Sequence, residues 1–432
     1  MSARIVIAAA GSLGDLHPFI ALGLALGARG FQAEIASSAE YRPKIEAAGL
    51  IFHEVGPSLA QLEIDLGMSL AKITETIIRD DIFLFRRILL PYLGSSVEQM
   101  TAVSRNAAVI VGATLTVGAG IAAERLATPF VSVLLQPALL FSAYDPPFLR
   151  KAPWTAPATG GFQLMLNRAT LALARTTTAG LTRPLNRERR RLGLPSTRDD
   201  LMFDAGRSAD LMLGLYSPLL GPPAPDAPAR LVVTGYAAFD SDTGGPAGLS
   251  SQLEGFLAAG PAPIVFTLGS AAVNIPGGFY SESLKAARRV GRRAVLLVGP
   301  EGDLGVADGA DAIAVAYAPF SQLFPRAAAV VHQGGVGTTQ QALRAGRPQV
   351  VVPHLGDQFD NAARVVRLGC GATLARGRYR AERVADVLKR LLDDATMAET
   401  ARRMGLVAAR EDGAGVAAER IIALITPDAA EA

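Results

Sequence analysis

Residues 332–339, with the sequence HQGGVGTT, follow a short apolar run and precede an amphipathic stretch. This order of strand, glycine-rich turn and helix is the basic unit of a parallel α/β sheet. Glycines let the backbone approach a ligand closely, and the N-terminus of the next helix offers unpaired N–H groups and a positive dipole end. The stretch therefore indicates a diphosphate site; the alternative is a tight turn in which His332 is merely hydrogen-bonded.

The same alternation of β-branched runs and amphipathic stretches continues on both sides of this turn. Strands are expected in the first half at residues 5–9, 33–37, 108–112, 130–134 and 210–214, with a helical region at 58–99. In the second half they are expected at 231–234, 264–268, 294–298, 312–316, 329–332 and 349–353. Such alternation predicts the α/β class with mostly parallel sheets.

A segment rich in Pro and Gly separates the two halves. Because proline removes a backbone donor and fixes φ, this segment indicates a linker. We therefore expect two Rossmann-like domains facing a cleft. The predicted boundaries are 1–216 for the first domain, 217–229 for the linker, 230–408 for the second domain, and 409–432 for a C-terminal helix that could pack back on the first.

Composition excludes several classes of protein. Half of the 432 residues are hydrophobic, which argues against disorder and provides for large buried cores. A net charge of +3 does not suggest a nucleic-acid binder. The single cysteine, Cys370, excludes an internal disulfide framework and fits a reducing compartment. No convincing signal peptide or membrane-spanning segment is present, so a cytoplasmic enzyme is expected.

Other polar side chains follow neighbouring predicted strands. Asp357 and Gln358 form a carboxylate–amide pair that could bind vicinal hydroxyls, although Asp is also a common helix cap. Ser270 ends another strand in a Gly-Ser turn and could donate to phosphates or act only as a turn residue. Ligands of open α/β sheets bind at the carboxyl ends of strands, which favours the functional interpretation.

The first strand is followed by the sequence GSLGDLHPF at residues 11–19. Its spacing is not GxGxxG, so the dinucleotide-binding fingerprint is missing. Asp15 and His17 could each act as a general base if directed into a cleft. A helix cap and a hydrogen-bonded polar residue are the respective alternatives.

Together these motifs resemble the UDP-glycosyltransferase superfamily, inverting enzymes with the GT-B fold of two Rossmann-type domains. The sequence is most similar to a bacterial branch that includes the rhamnosyltransferase of rhamnolipid synthesis, sterol glucosyltransferases and antibiotic glycosyltransferases. Residues 317–319, 332–338, 357–361 and 368–371 carry the resemblance most strongly. It is weak between about 58 and 207.

The resemblance implies roles for individual residues. Asp15 would deprotonate the acceptor hydroxyl, with His17, two positions later, ranked second. Asp357 and Gln358 would hold the sugar hydroxyls. The other donor-binding residues would be Ser270, His332, Gly334, Gly335, Gly337 and Thr338 at the diphosphate, and Tyr317 and Ala318 at the nucleobase.

One departure bears on the nucleotide. Plant relatives carry a Glu for the ribose eight residues after the motif histidine, where this chain has Gln340. The nucleotide of the donor can therefore be uridine or deoxythymidine diphosphate, and UDP-glucose and dTDP-rhamnose are both candidate donors. No metal-ligand spacing such as HExxH is present, so we expect neither a metal nor another cofactor.

The acceptor is expected to be a lipophilic small molecule, such as a lipid, sterol, flavonoid or polyketide aglycone. Large apolar residues of the first half, among them Phe83, Phe141 and Tyr144, could line its site, although core packing must claim many of them. The Arg-rich stretch at 183–191 is a solvated helix face or a contact with anionic membrane surfaces. Two other functions stay open: another enzyme on this architecture, such as a nucleotide-sugar epimerase or an NAD-dependent oxidoreductase, and a non-catalytic partner subunit of a transferase.

Overall fold

The computed structural model describes residues 3–149, 151–241, 244, 248–273 and 275–426. These residues form two compact units. The first unit comprises residues 3–11, 15–239 and 412–426, and the second comprises 12–14 and 240–411 within the described ranges. Each unit is built around one sheet.

The first unit contains a seven-stranded parallel sheet with the strand order β3-β2-β1-β4-β5-β6-β7. Its strands are β1 (Arg4–Ala8), β2 (Gln32–Ser37), β3 (Ile51–Glu54), β4 (Val109–Ala113), β5 (Phe130–Leu134), β6 (Leu211–Gly214) and β7 (Leu231–Val233). Its helices are α1 (Leu13–Gly27), α2 (Arg42–Ala47), α3 (Leu59–Leu66), α4 (Leu70–Arg79), α5 (Asp81–Phe83), α6 (Leu93–Val103), α7 (Val117–Leu126), α8 (Gly161–Thr178) and α9 (Thr182–Arg191), with a π-helical turn at Leu84–Leu89.

The second unit contains a six-stranded parallel sheet with the order β10-β9-β8-β11-β12-β13. Its strands are β8 (Ile264–Thr267), β9 (Ala294–Leu297), β10 (Ala312–Val315), β11 (Ala329–His332), β12 (Gln349–Val351) and β13 (Gly371–Thr373). Its helices are α10 (Ser251–Ala258), α11 (Gly269–Ala272), α12 (Phe279–Arg289), α13 (Phe320–Leu323), α14 (Val336–Arg344), α15 (Gln358–Arg367), α16 (Ala381–Asp393) and α17 (Ala395–Ala408).

Both faces of the second sheet are covered by helices. In β8, Ile264 and Phe266 enter one apolar cluster and Val265 enters the other. Successive side chains of a strand point to opposite faces, so an apolar run of this kind fits a strand that is buried on both sides. The two parallel sheets confirm the predicted fold class.

The structure corrects the predicted domain boundary. The strand expected at 231–234 is β7, and it pairs in parallel with β6 at the edge of the first sheet. The Pro-rich segment therefore connects two strands of the first unit instead of joining the domains, and the chain passes to the second unit between Phe239 and Asp240. Proline excluded regular structure from this segment but did not mark where the sheet ends.

The last helix, α18 (Gly413–Ile425), belongs to the first unit. Gly413 lies against the chain after β7, where an added Cβ would collide with the carbonyl oxygen of Gly235. An ion pair of 2.9 Å also joins Glu419 to Arg29 at the end of α1. Within the residues described, no helix combines the length and apolar character needed to cross a membrane.

Candidate active site

The sheet order of the second unit brings three candidate segments together. Strand β11 lies between β8 and β12, with His332 opposite Thr267 on one side and Val351 on the other. The carboxyl ends of parallel strands meet at one edge of a sheet, where ligands bind in open α/β folds. The turns after β8, β11 and β12 therefore form one loop cluster.

His332 is fully buried in this cluster. Its Nδ1 accepts the N–H of Gly334 at 3.0 Å, so the proton is on Nε2, which donates to Oε1 of Gln349 at 2.8 Å. Burial lowers the pKa of His332 to about 4, an effect that the hydrogen bond with Gln349 opposes. The ring is neutral at neutral pH and presents no N–H to a ligand, so it shapes the turn in this arrangement.

Asn361, on the helix after β12, connects the turns after β11 and β12. Its Nδ2 donates to the carbonyl of Gly334 at 2.9 Å and to Oδ2 of Asp357 at 2.8 Å. Gly334 has a φ of +92°, and an added Cβ would lie 2.7 Å from Cγ1 of Val351. The turn thus requires glycine here, and Asn361 fixes the carboxylate that was predicted to bind the sugar.

Gln358 is buried, and its side-chain oxygen is hydrogen-bonded to the backbone of its own loop. Its Oε1 accepts the backbone N–H groups of His354 at 2.8 Å and Leu355 at 3.1 Å. Any hydrogen bond from this side chain to a sugar hydroxyl would therefore come from its NH₂ group. Burial also lowers the pKa of His354 to about 4, so this ring is neutral as well.

Gln333 lies between the turns after β8 and β11. Added Cβ atoms on Gly269 and Gly335 would both collide with its Nε2. Its Oε1 is buried and has no hydrogen-bond partner in the described protein. Sequence patterns assign no role to Gln333, and its place in the motif at residues 332–339 was the only signal available.

The groups that can meet an anion are backbone N–H groups and hydroxyls. Gly335 is the N-cap of α14, so the N–H groups of Gly337 and Thr338 lie in the first helical turn, where no intrahelical acceptor exists. Ser270 is exposed and lies in α11, the short helix that follows β8, instead of ending the strand. Tyr317 and Ala318 follow β10, two strands away from β8 in the sheet, and Ala318 is buried.

In the first unit, Asp15 lies in the first turn of α1, directly after β1. Gly11 has a φ of +122°, and an added Cβ would collide with Oδ2 of Asp15, so only glycine leaves room for this carboxylate. Tyr41 donates its hydroxyl to the carbonyl of Gly11 at 2.7 Å. Burial, followed by the charges of Glu40 and Asp15, raises the pKa of Tyr41 above its usual range.

His17 lies two residues after Asp15 on the same helix. Its Nε2 lies 3.5 Å from Nζ of Lys44, and its ring meets Phe239 edge to face with centroids 5.4 Å apart. Burial, with a smaller contribution from the Lys44 ammonium, lowers the pKa of His17 to about 3. A ring of such low basicity whose acceptor nitrogen faces an ammonium group is a poor general base.

The candidate acceptor residues lie in separate parts of the first unit. Phe83 packs in the cluster built by α3, α4 and the π-helical turn. Phe141 packs against Phe203 with ring centroids 4.3 Å apart, and its φ of +46° turns the chain sharply after β5. Tyr144 follows three residues later, and its N–H donates to Oγ of Ser142 at 3.0 Å.

Asp226, in the Pro-rich segment, holds the loop that carries Phe141 and Tyr144. Its carboxylate accepts Oγ of Ser142 at 2.5 Å and the N–H of Ala143 at 2.7 Å. Sequence patterns missed this residue; a lone carboxylate among prolines was its only signal.

Among the residues that the structure describes, no group of three or more His, Cys, Asp or Glu side chains could hold a metal ion.

Comparisons with known proteins agree with this architecture. Residues 5–143 match the family model of the glycosyltransferase family 28 N-terminal domain, and residues 284–424 match the erythromycin biosynthesis protein CIII-like C-terminal domain. The crystal structure of glycosyltransferase VinC in complex with dTDP superposes with a TM-score of 0.71 at 20% identity, covering 98% of this chain and 100% of that one.

Two relatives match along almost their whole length. O-mycaminosyltylonolide 6-deoxyallosyltransferase of Streptomyces fradiae is 33% identical, covering 95% of this chain and 94% of the relative. Vancomycin aglycone glucosyltransferase of Amycolatopsis orientalis is 30% identical, covering 97% of each. The chain therefore belongs to the GT-B glycosyltransferase superfamily and is a glycosyltransferase.

Proposed function

We propose that this enzyme transfers a hexose from a nucleoside-diphosphate sugar to a hydroxyl of a lipophilic aglycone, with inversion and without a metal. The observation that carries the proposal is the meeting of three strand ends in the second unit. They bring Ser270, the N-terminus of α14 and the Asp357–Gln358 pair to one edge of the sheet. Hydroxyl, amide and carboxylate groups of this kind suit a sugar joined to a diphosphate.

The acceptor is activated by Asp15. Its carboxylate takes the hydroxyl proton as the acceptor oxygen forms a bond to the anomeric carbon, and the bond from that carbon to the diphosphate oxygen breaks on the opposite side. A single displacement of this kind inverts the configuration and releases the nucleoside diphosphate. His17 is the weaker candidate because burial holds its pKa near 3 and Lys44 faces its Nε2.

The leaving diphosphate is stabilised by neutral donors. The first turn of α14 supplies the N–H groups of Gly337 and Thr338, and its dipole is positive at that end. The hydroxyls of Ser270 and Thr338 add two donors. His332 contributes by accepting the N–H of Gly334 and holding the turn, since its ring carries no charge at neutral pH.

The substrates in the names of the relatives bear on the choice of acceptor and donor for this enzyme. The relatives named above act on O-mycaminosyltylonolide and on the vancomycin aglycone, as their names state, and VinC was crystallised with dTDP. We therefore favour a polyketide or similar natural-product aglycone as acceptor. Deoxythymidine and uridine diphosphate sugars are both retained as donors because Gln340 supplies no carboxylate for a ribose.

Thermal-shift titrations with UDP, dTDP and NAD test the donor class first. A ligand that binds only the folded chain raises its melting temperature with occupancy. We expect one of the two diphosphates to stabilise the protein and NAD to have no effect; stabilisation by NAD alone would contradict the proposal.

Turnover is then measured with UDP-glucose and dTDP-rhamnose against a panel of hydroxylated polyketide aglycones and sterols, by following nucleoside diphosphate release. Asp15→Asn should lower kcat by about 10²–10⁴-fold and leave the thermal shift with nucleotide intact. His17→Gln is the matched control and should retain far more activity. Unchanged turnover in Asp15→Asn would remove Asp15 as the base, and sugar isomerisation without diphosphate release would favour an epimerase.

A further inference from the structure

Helix α8 exposes an apolar face to solvent. Phe162, Met165 and Leu173 are 74%, 61% and 69% exposed. Their spacing places them on one side of the helix, while Asn167 and Leu171 are buried on the other side. A surface helix normally directs its apolar stripe to the core, so this second stripe requires an explanation.

The loop before α8 extends the same face. Trp154 is 52% exposed, and its Nε1–H donates to Oγ1 of Thr170 on the helix at 3.0 Å. Gln163 donates to the carbonyl of Trp154 at 3.1 Å. These hydrogen bonds fix the indole beside α8, and we call Trp154, Phe162, Met165 and Leu173 the apolar face.

Positive charge is concentrated in the stretch of sequence that carries this face. Residues 148–191 contain nine Lys and Arg against one Glu, a net charge of +8, whereas the whole chain carries +3, so the remainder is negative at −5. Five of these basic side chains are exposed and have no ion pair in the described part of the chain: Lys151, Arg168, Arg183, Arg187 and Arg190. Arg168 lies on α8 itself, next to the apolar stripe.

We propose that the apolar face docks on the surface of an anionic lipid bilayer. Interfacial helices combine exposed aromatic and aliphatic side chains with Arg or Lys at their edges, and lie in the plane of the headgroups. Anionic lipids attract such basic segments, whereas a second copy of this chain would bring two sets of unpaired Lys and Arg side chains together and be repelled. The docking does not depend on the proposed reaction, but it would place the enzyme where lipophilic acceptors accumulate.

Trp154 is the only tryptophan in the chain, so its fluorescence reports on this face directly. Vesicles of equal parts phosphatidylglycerol and phosphatidylcholine should shift its emission to the blue, and brominated acyl chains should quench it. Pure phosphatidylcholine vesicles should have a much weaker effect, and salt should weaken binding to the anionic ones. No change in emission with anionic vesicles at low salt would overturn the proposal.

Variants separate this face from the rest of the surface. In vesicle sedimentation, Phe162→Gln combined with Met165→Gln should lower partitioning by about tenfold or more, and Arg168→Gln by about fivefold. The matched controls are Ile64→Gln, at a residue 73% exposed on α3, and Arg105→Gln, at an exposed Arg after α6. All of these changes are at exposed side chains, so melting temperatures should be unchanged.

Two results would contradict the assignment. Equal sedimentation of the Phe162→Gln/Met165→Gln variant and the Ile64→Gln control would show that the apolar face does not touch the bilayer. A dimer in analytical ultracentrifugation that dissociates on the same double substitution would show that a second copy covers the face instead.

Discussion

Asn361 donates to the carbonyl of Gly334 at 2.9 Å and thereby ties the helix after β12 to the glycine-rich turn after β11. The same NH₂ group reaches Asp357 at 2.8 Å. One side chain thus holds both the turn proposed to bind the diphosphate and the carboxylate proposed to bind the sugar. Its effect on the ligand is indirect, because it acts through two other groups.

Asn361→Ala should therefore weaken nucleotide binding. The change leaves the carbonyl of Gly334 and a carboxylate oxygen of Asp357 without this donor, and loss of one such bond corresponds to about tenfold in affinity. Isothermal titration with dTDP and UDP measures the effect. The matched control is Asn167→Ala, which removes two comparable bonds, to Ala143 and Ala156, in the first unit. Equal nucleotide affinity in both variants would show that the hydrogen bonds of Asn361 are not needed for nucleotide binding.

Gly269→Ala should disturb the turn after β8. Gly269 has a φ of +60°, and the added methyl would overlap Nε2 of Gln333. We expect a loss of about 1–3 kcal/mol in the free energy of unfolding and weaker nucleotide binding, because Ser270 is the next residue. Urea unfolding and nucleotide titration measure the two effects.

The control for this change is Gly277→Ala. Gly277 also has a positive φ, of +51°, but an added Cβ would meet nothing within 4 Å. It therefore carries the same backbone penalty without the collision. If Gly269→Ala is no worse than Gly277→Ala, Gln333 has room to move and does not fix the turn. Combining Gly269→Ala with Gln333→Ala should recover part of the loss.

The fold could be predicted from the sequence where apolar runs are long and clearly bounded. Two short strands were missed. β3 (Ile51–Glu54) contains His53 and Glu54 and lies at an edge, and β13 (Gly371–Thr373) begins with glycine and has three residues. Edge strands are half solvated, so their composition resembles that of loops. The error in the domain boundary has another cause, because β7 was expected as a strand but the sequence does not show that it pairs with β6.

The candidate site could be predicted as a set of strand ends but not as a hydrogen-bond network. The place of His332 in the motif assigned it to the phosphate, yet the position of its N–H depends on Gln349, 17 residues later. Asn361 lies in a motif that carries the resemblance but has no predicted role, because nothing in the sequence indicates which carbonyl an amide reaches. Contacts between neighbouring strand ends require the sheet order, which sequence patterns did not provide.

Stability should fall as the solution is acidified below pH 6.5. Burial lowers the pKa values of His332 and His354 to about 4, against an ordinary value of 6.5, and that of His17 to about 3. The unfolded chain therefore binds protons between pH 6.5 and 4 that the folded chain does not, so the contribution of these histidines to the free energy of unfolding decreases as pH falls through this window. For fully buried His332 the loss is at most about 2 kcal/mol at pH 5.

Urea unfolding at pH 5 and pH 7.5 tests this expectation. His354→Gln removes one titrating group and should reduce the difference between the two pH values. His53→Gln is a control, since His53 is a half-buried histidine of the first unit whose Nε2 lies 2.7 Å from a carboxylate oxygen of Glu34. A difference that is the same in His354→Gln as in the unsubstituted protein would show that His354 is protonated in the folded state or is not buried.

Asp226→Ala should weaken binding of the acceptor without changing binding of the nucleotide. The carboxylate fixes Ser142 and Ala143, and loss of both hydrogen bonds would release the loop in which Phe141 adopts a left-handed backbone conformation. We expect the KM for the best aglycone of the panel to rise by about tenfold, with the dissociation constant of the nucleotide unchanged. Asp226→Asn keeps one acceptor oxygen, so its KM should fall between those of Asp226→Ala and the unsubstituted enzyme.

The control for Asp226 is a carboxylate that makes a comparable bond elsewhere. Asp303 accepts the N–H of Gly305 at 2.8 Å in an exposed loop of the second unit, so Asp303→Ala should leave the KM for the aglycone unchanged. A weaker nucleotide affinity in Asp226→Ala would mean that the substitution disturbs the whole protein. An unchanged KM for the aglycone would mean that the loop carrying Phe141 and Tyr144 does not contact the acceptor, which would then have to bind elsewhere in the first unit.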